Sequence, residues 1–126
     1  MEIEKKKIKN TEVVRINFGK EISPESKELT GTIELDIENQ LEFVDYINTL
    51  LDENSYSIII DMGNISYIDS SGLWALFESH KKAEQRSGKL ILINPKNDVK
   101  RVLDITKMST KITILENEEQ AIQHFK

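Results

Sequence analysis

The sequence predicts an α/β fold: a small, mixed but mostly parallel β-sheet with about four α-helices packed on it. Short aliphatic runs alternate along the chain with segments of helical period. This order favours parallel strands joined by helices. The most apolar run, Ser57–Met62, contains three consecutive isoleucines and is typical of a strand buried on both faces. We therefore expect this run at the centre of the sheet.

Short β-branched and aliphatic runs define the strands. They are predicted over residues 13–18, 32–35, 57–62, 90–93 and 112–115. The segment 20–31 is polar, contains Pro24 and has no clear period, which indicates an inserted surface loop or small hairpin. Residues 65–68, after the turn at Gly63, receive no assignment. A length of 126 residues corresponds to a single domain over 1–126.

The helices are predicted from apolar residues three and four positions apart. The first is expected to begin at Ile37, with Asp36 as its cap, and to bury the set Ile37, Leu41, Val44, Ile47 and Leu51. The second begins at 69–72, ends before Gly88, and is expected to bury the set Leu73, Leu76, Phe77 and Ala83. A third is expected over Val99 to Met108, and a fourth after Asn117, with Gln120 at capping-box spacing.

Composition argues against several classes of function. The net charge of −5 argues against nucleic acid as a partner, because phosphate backbones need a basic face. The basic run Lys5–Lys9 is predicted to be a solvated terminus or an edge strand. The absence of cysteine leaves no thiolate for catalysis or metal binding. With no apolar run of membrane-spanning length and no visible signal peptide, we expect a cytoplasmic protein that does not bind membranes.

An enzymatic function is not expected. The sequence has no Gly-rich phosphate loop, and neither His80 nor His124 has a His or Cys at metal-ligand spacing. His80 lies ten residues after Ser70 on one predicted helix, about 15 Å away by helical rise, so it cannot act as a base for that serine. A packed histidine is the expected role. We expect no catalytic residue, no metal and no cofactor.

Ser70 lies where a strand is followed by a helix. Either Ser70 or Asp69 can cap the helix through its side-chain oxygen. Alternatively, Ser70 accepts a phosphate, because a helix N-terminus tolerates an anion and the added charge would change a contact surface without unfolding the domain. The two interpretations are compatible.

Three segments together resemble the STAS domain, in particular the bacterial anti-sigma-factor antagonists. They are Ile58–Met62, Ile65–Leu73 with its Asp-Ser-Ser-Gly-Leu string, and Asn94–Thr106. The resemblance covers Leu35 to the C-terminus, and more weakly Val13–Phe18. It implies a small sheet with helices on one side and a peripheral edge strand.

The resemblance also implies a function. The protein would bind an anti-sigma factor that is itself a serine kinase, and phosphorylation of Ser70 would end that binding. A serine phosphatase would reverse it, and ATP and magnesium would belong to the kinase. The residues implied or expected to contact partners are Asp36, Asp69, Ser71, Gly72 and Trp74.

Two features depart from the family pattern. Residues 20–31 are additional, and Trp74 occupies a position where the family commonly has a small residue. Trp74 is expected either to contact a partner or to pack under the inserted segment. These departures motivate an alternative: a constitutive STAS interaction module in a signalling or lipid-transport assembly, without a phosphoswitch.

Overall fold

The computed structural model describes residues 2–21 and 29–126. Its strands are β1 (Glu2–Lys7), β2 (Val13–Glu21), β3 (Leu29–Thr30), β4 (Ile33–Leu35), β5 (Ser57–Asp61), β6 (Ile65–Ile68), β7 (Lys89–Ile93) and β8 (Thr113–Leu115). Its helices are α1 (Gln40–Asp52), α2 (Ser70–Gln85), α3 (Asn97–Ile105) and α4 (Glu118–Phe125), with a 3₁₀ turn at Met108–Thr110.

The main sheet confirms the predicted α/β class. Its order is β1-β2-β5-β7-β8, with parallel pairing of β2, β5, β7 and β8 and an antiparallel β1 at the edge. The three isoleucines of β5 are fully buried, as expected for a central strand. The basic N-terminal run lies partly in β1, the edge strand that was one of its two predicted states. At the inserted segment, β2 and β3 pair antiparallel, while residues 22–28 between them lie outside the described ranges.

A second, two-stranded sheet determines where α1 and α2 begin. Strand β4 pairs in parallel with β6, and Leu35 is the register partner of Ile68. Residues 65–68, which the sequence left unassigned, therefore form a strand. Because α1 follows β4 and α2 follows β6, both helices begin at the same edge of this small sheet.

Helices cover both faces of the main sheet, so the implied arrangement with helices on one side is wrong. Ile58 and Ile60 belong to the large core shared with α1, α2 and α3, whereas Ile59 packs with Ile91 and with Ala121 of α4. Successive strand residues point to opposite faces. A central strand that is apolar on both faces needs cover on both, and α4 provides it on the second face.

The start of α1 also differs from the prediction. The Asn39 side chain accepts the Asp36 N–H at 2.9 Å and donates to the Glu34 carbonyl at 2.6 Å, which fixes a turn before the helix begins at Gln40. The Asp36 carboxylate accepts the N–H of Glu38 at 3.0 Å, so it caps this turn and not the helix. The buried face consists of Phe43, Val44, Ile47, Leu50 and Leu51, while Ile37 and Leu41 are 68% and 63% exposed.

Helix α2 buries a different face from the predicted one. Leu76 and Ala83 are buried as expected, whereas Leu73 and Phe77 are only half-buried. The rest of the buried face is small or polar: Gly72, Ala75, Ser79 and His80. Hydrophobicity alone could not identify those residues as core.

Local geometry determines where α3 ends and where α4 begins. Helix α3 ends at Ile105, and Met108 lies in the separate 3₁₀ turn because Lys107 has a φ of 65°. Asn117 caps α4 as predicted, since its side chain accepts the Gln120 N–H at 2.9 Å. The Gln120 side chain accepts the N–H of Glu116 at 3.0 Å, one residue before the position that a capping box would use.

Candidate functional site

At the start of α2, the helix cap and the exposed serine hydroxyl belong to two different residues. Asp69 is in an extended conformation, and its Oδ1 accepts the Gly72 N–H at 2.9 Å. Asp69 is therefore the N-cap. Ser70 is the first residue of the helix and is exposed. Within the described ranges its hydroxyl has no hydrogen-bond partner, so the cap does not occupy this oxygen.

Gly72 allows the first turn of α2 to lie against the end of β4. A Cβ atom at this position would lie 2.2 Å from the carbonyl oxygen of Leu35 and 2.7 Å from Cγ1 of Ile68. The Asp69 N–H also donates to the Leu35 carbonyl, at 3.4 Å. Gly72 is buried, so its visible role is to seat the helix. Its contact with a partner remains a prediction.

Asp36 and Asp69 occupy matching positions at the ends of paired strands. Each follows directly on a member of the Leu35–Ile68 register pair. The predicted interface residue Asp36 is thereby brought beside the start of α2, although 33 positions separate it from Asp69 in the sequence. Both carboxylates accept a backbone N–H two or three residues further along the chain, which holds the two turns in place.

Two of the predicted contact residues lie further along the first turns of α2. Ser71 is half-buried, and Trp74 is 44% exposed. Residues four apart on a helix share a face, so Trp74 lies on the same side of α2 as Ser70. Whether Trp74 also meets the inserted segment concerns residues 22–28, which lie outside the described ranges.

Ile37 and Leu41 are additional exposed residues at the same edge, and the sequence reasoning assigned them to the core. They lie in the turn before α1 and in its first turn. Nothing in their spacing distinguishes them from core residues, because they fit a helical period; only the late start of α1 exposes them. We call the surface formed by Asp36, Ile37, Leu41, Ser70 and Trp74 the switch edge.

His80, the nearest histidine to Ser70 in the sequence, is held within α2. His80 is buried, and its Nε2 lies 2.7 Å from a carboxylate oxygen of Glu84, in keeping with a packed histidine. Its Nδ1 and the hydroxyl of Ser79 are buried without a hydrogen-bond partner among the described residues. No group of three His, Cys, Asp or Glu side chains in those ranges could hold a metal ion.

The family model for the STAS domain matches residues 20–121. This chain belongs to the STAS domain family. Solved structures with the same fold include a Thermotoga maritima protein assigned as an anti-sigma factor antagonist, with a TM-score of 0.77 and 22% identity over 97% of this STAS chain and 92% of that one. SpoIIAA, an anti-sigma factor antagonist solved in its unphosphorylated form, gives a TM-score of 0.66 and 21% identity over 98% and 97% of the two chains.

Two further comparisons extend the range of relatives. SpoIIAA of Bacillus in its phosphorylated form matches with a TM-score of 0.64 and 21% identity, covering 99% of this STAS chain and 100% of that one. A low-affinity sulfate transporter of Stylosanthes hamata is 39% identical over 56 residues, which is 44% of this chain and 9% of the transporter. The chain therefore spans under a tenth of that curated relative. No helix within the described ranges is long and apolar enough to cross a membrane.

Proposed function

We propose that this STAS protein is an anti-sigma-factor antagonist that phosphorylation of Ser70 switches off, and that it thereby regulates transcription. The observation that carries the proposal is the exposed Ser70 hydroxyl beside a cap made by Asp69. A kinase can modify this oxygen without removing the hydrogen bond that starts the helix. The N-terminal position also favours an anion electrostatically, so the domain stays folded in both states.

The partner is an anti-sigma factor that is also a serine kinase. The family resemblance assigns the phosphate to the residue directly after the Asp of the Asp-Ser-Ser-Gly-Leu string, which corresponds to Ser70. A phosphoserine carries close to two negative charges and three acceptor oxygens, enough to dissociate a complex that buries this position. A serine phosphatase restores the binding form. The chain supplies only the acceptor oxygen and is not itself an enzyme, and the cycle runs in the cytoplasm.

Comparison with SpoIIAA, which shares the fold, supports this proposal, because that protein has been solved in unphosphorylated and phosphorylated forms.

The residues that can contact the kinase have at least partly exposed surface on the segments around the modified position. They are Asp36, Asp69, Ser71 and Trp74. Gly72 contributes by holding this edge together.

Phosphorylation in vitro tests the proposal directly. The full chain is incubated with ATP and each serine kinase of the anti-sigma type from the same genome, and the phosphate is located by mass spectrometry. We expect one phosphate at Ser70, loss of that phosphate in Ser70→Ala, and its retention in the control Ser66→Ala, at an exposed serine of β6. The proposal is wrong if no such kinase modifies Ser70 and none binds the unmodified chain.

A constitutive interaction module is the second candidate. The partial match to a sulfate transporter favours it, because that relative carries the matched segment within a much longer chain. Under this alternative Ser70→Ala and Ser70→Asp bind the partner with equal affinity. Under the phosphoswitch the Asp variant binds at least about tenfold more weakly, a difference of about 1.4 kcal/mol.

A further inference from the structure

The charge of the chain is divided unevenly along the sequence. Between Lys27 and Lys81 there is no lysine or arginine, yet this stretch contains eleven Asp and Glu residues. All the Lys and Arg residues therefore lie in residues 1–27 and 81–126. The acidic stretch includes β4, α1, β6 and the first turns of α2, and so it includes the whole switch edge.

Basic residues from the flanking segments neutralise other parts of this acidic stretch. Lys5 pairs with Glu53, Arg86 with Asp52, and Arg15 with Asp61. Among the described residues, no ion pair involves Glu34, Asp36, Glu38 or Asp69, which lie at and around the switch edge. These four carboxylates give this part of the molecule a negative charge that no described basic side chain offsets.

Large apolar side chains lie within the same surface. Ile37 and Leu41 are more exposed than Trp74, and all three lie on the segments that begin at the same edge of the small sheet as Ser70. Exposed aliphatic and aromatic side chains at one edge are typical of a protein contact site. The switch edge therefore combines exposed apolar side chains with acidic ones.

We propose that the switch edge binds a protein whose contact surface is apolar at its centre and bordered by lysine and arginine side chains. The proposal rests on the proposed function only in placing the docking site around Ser70. Opposite charge at the border accelerates encounter and fixes orientation. The apolar centre supplies the burial that keeps the complex together.

This partner chemistry determines how phosphorylation acts. A phosphate adds charge of the same sign as the border, so at long range it does not repel a basic partner. It destabilises the bound complex instead, because two negative charges would have to lose their water in an interface that also buries exposed apolar side chains. Modification should therefore raise the dissociation rate without lowering the association rate.

Binding kinetics test the inference. The probe is the purified protein that forms a one-to-one complex with the full, unmodified chain, and rate constants are measured at about 30 mM and about 500 mM salt. We expect the association rate to fall at least about fivefold at the higher salt. Glu38→Lys should lower the association rate at least about threefold at low salt, whereas Glu119→Lys, the same charge change at an exposed position of α4, should not.

The apolar centre has its own matched control. Ile37→Ser and Trp74→Ala should each raise the dissociation rate at least about tenfold, consistent with hot-spot residues. Ile105→Ser, a change at the 71% exposed end of α3, should leave it unchanged. Circular dichroism verifies that each variant folds.

Several outcomes overturn the inference. Association that does not depend on salt or on Glu38→Lys excludes a basic border, and this result stands even if Ser70 is phosphorylated as proposed. Self-association that Glu38→Lys abolishes would identify the occupant as the basic surface of a second copy and would overturn a separate partner. Absence of any complex overturns both proposals, whereas complex formation without phosphorylation of Ser70 overturns only the proposed switch.

Discussion

The carbonyl oxygen of Leu35 lies 2.2 Å from the position that a Cβ atom would occupy at Gly72. This close approach seats the first turn of α2 against the end of β4, the strand that Asp36 follows. The position of Ser70 and its Asp69 cap relative to β4 depends on it. Substitutions in this part of the molecule should change the free energy of unfolding or the binding of a partner.

Replacing Gly72 by alanine should destabilise the domain by about 2 to 3 kcal/mol, because the added methyl group meets backbone that cannot rotate away. Urea unfolding monitored by circular dichroism measures the change. Ser71→Ala, at the preceding half-buried position, is the control and should cost less than about 0.5 kcal/mol. Equal stability of Gly72→Ala and the original chain would show that α2 is not seated on Leu35.

Removing the Asp69 cap should cost about 1 kcal/mol in Asp69→Ala, because the Gly72 N–H loses its acceptor. Asp69→Asn keeps a side-chain oxygen and should lose only a few tenths of a kcal/mol. The pair also separates capping from charge: if Asp69 contacts the kinase through its negative charge, Asp69→Asn slows phosphorylation of Ser70 while the fold remains stable. Equal stability of the Ala and Asn variants would contradict the capping role.

Arg15 links the sheet to α4, and its loss should destabilise that helix more than loss of Glu118 does. The guanidinium is paired with Asp61 and lies 2.9 Å from Glu118. Burial lowers the pKa of Arg15, but the hydrogen bond to Glu118 and the charge of Asp61 outweigh it and raise the pKa above its ordinary value, so the group stays charged.

Arg15→Ala leaves the largely buried Asp61 carboxylate without this partner and should cost about 1 to 3 kcal/mol. Glu118→Gln removes a half-exposed charge and should cost under about 1 kcal/mol. Thermal unfolding ranks the stabilities of the two variants, and hydrogen exchange of the α4 amides shows whether the loss of stability lies in that helix. Greater loss in Glu118→Gln would show that this ionic cluster contributes little through Asp61.

Trp74 is the chain's one tryptophan, so its fluorescence reports on the switch edge alone. Since the ring is 44% exposed, acrylamide should quench it efficiently in the free protein. Complex formation should reduce the quenching constant at least about twofold, because an interface core excludes solvent. An unchanged constant in a complex that Ser70→Asp abolishes would place Trp74 outside the contact.

The sequence by itself determined the fold class, the central position of β5 and the place of Ser70 at a helix start. These follow from local signals: three consecutive isoleucines, the alternation of strand and helix periods, and a short polar string after a strand. The Asn117 cap was predictable for the same reason, because its hydrogen bond spans only three residues.

The structure alone decided which residues of α1 face solvent and whether Ser70 or Asp69 caps α2. Ile37 and Leu41 have the period of core residues, but the side chain of Asn39 holds a turn that delays the helix, and the buried face rotates away from them. Likewise, only the register of Leu35 with Ile68 brings Asp36 beside the start of α2, since pairing between distant segments leaves no trace in local periodicity. The position of the proposed phosphorylation site is thus a property of the sequence, whereas the surface around it is a product of strand pairing.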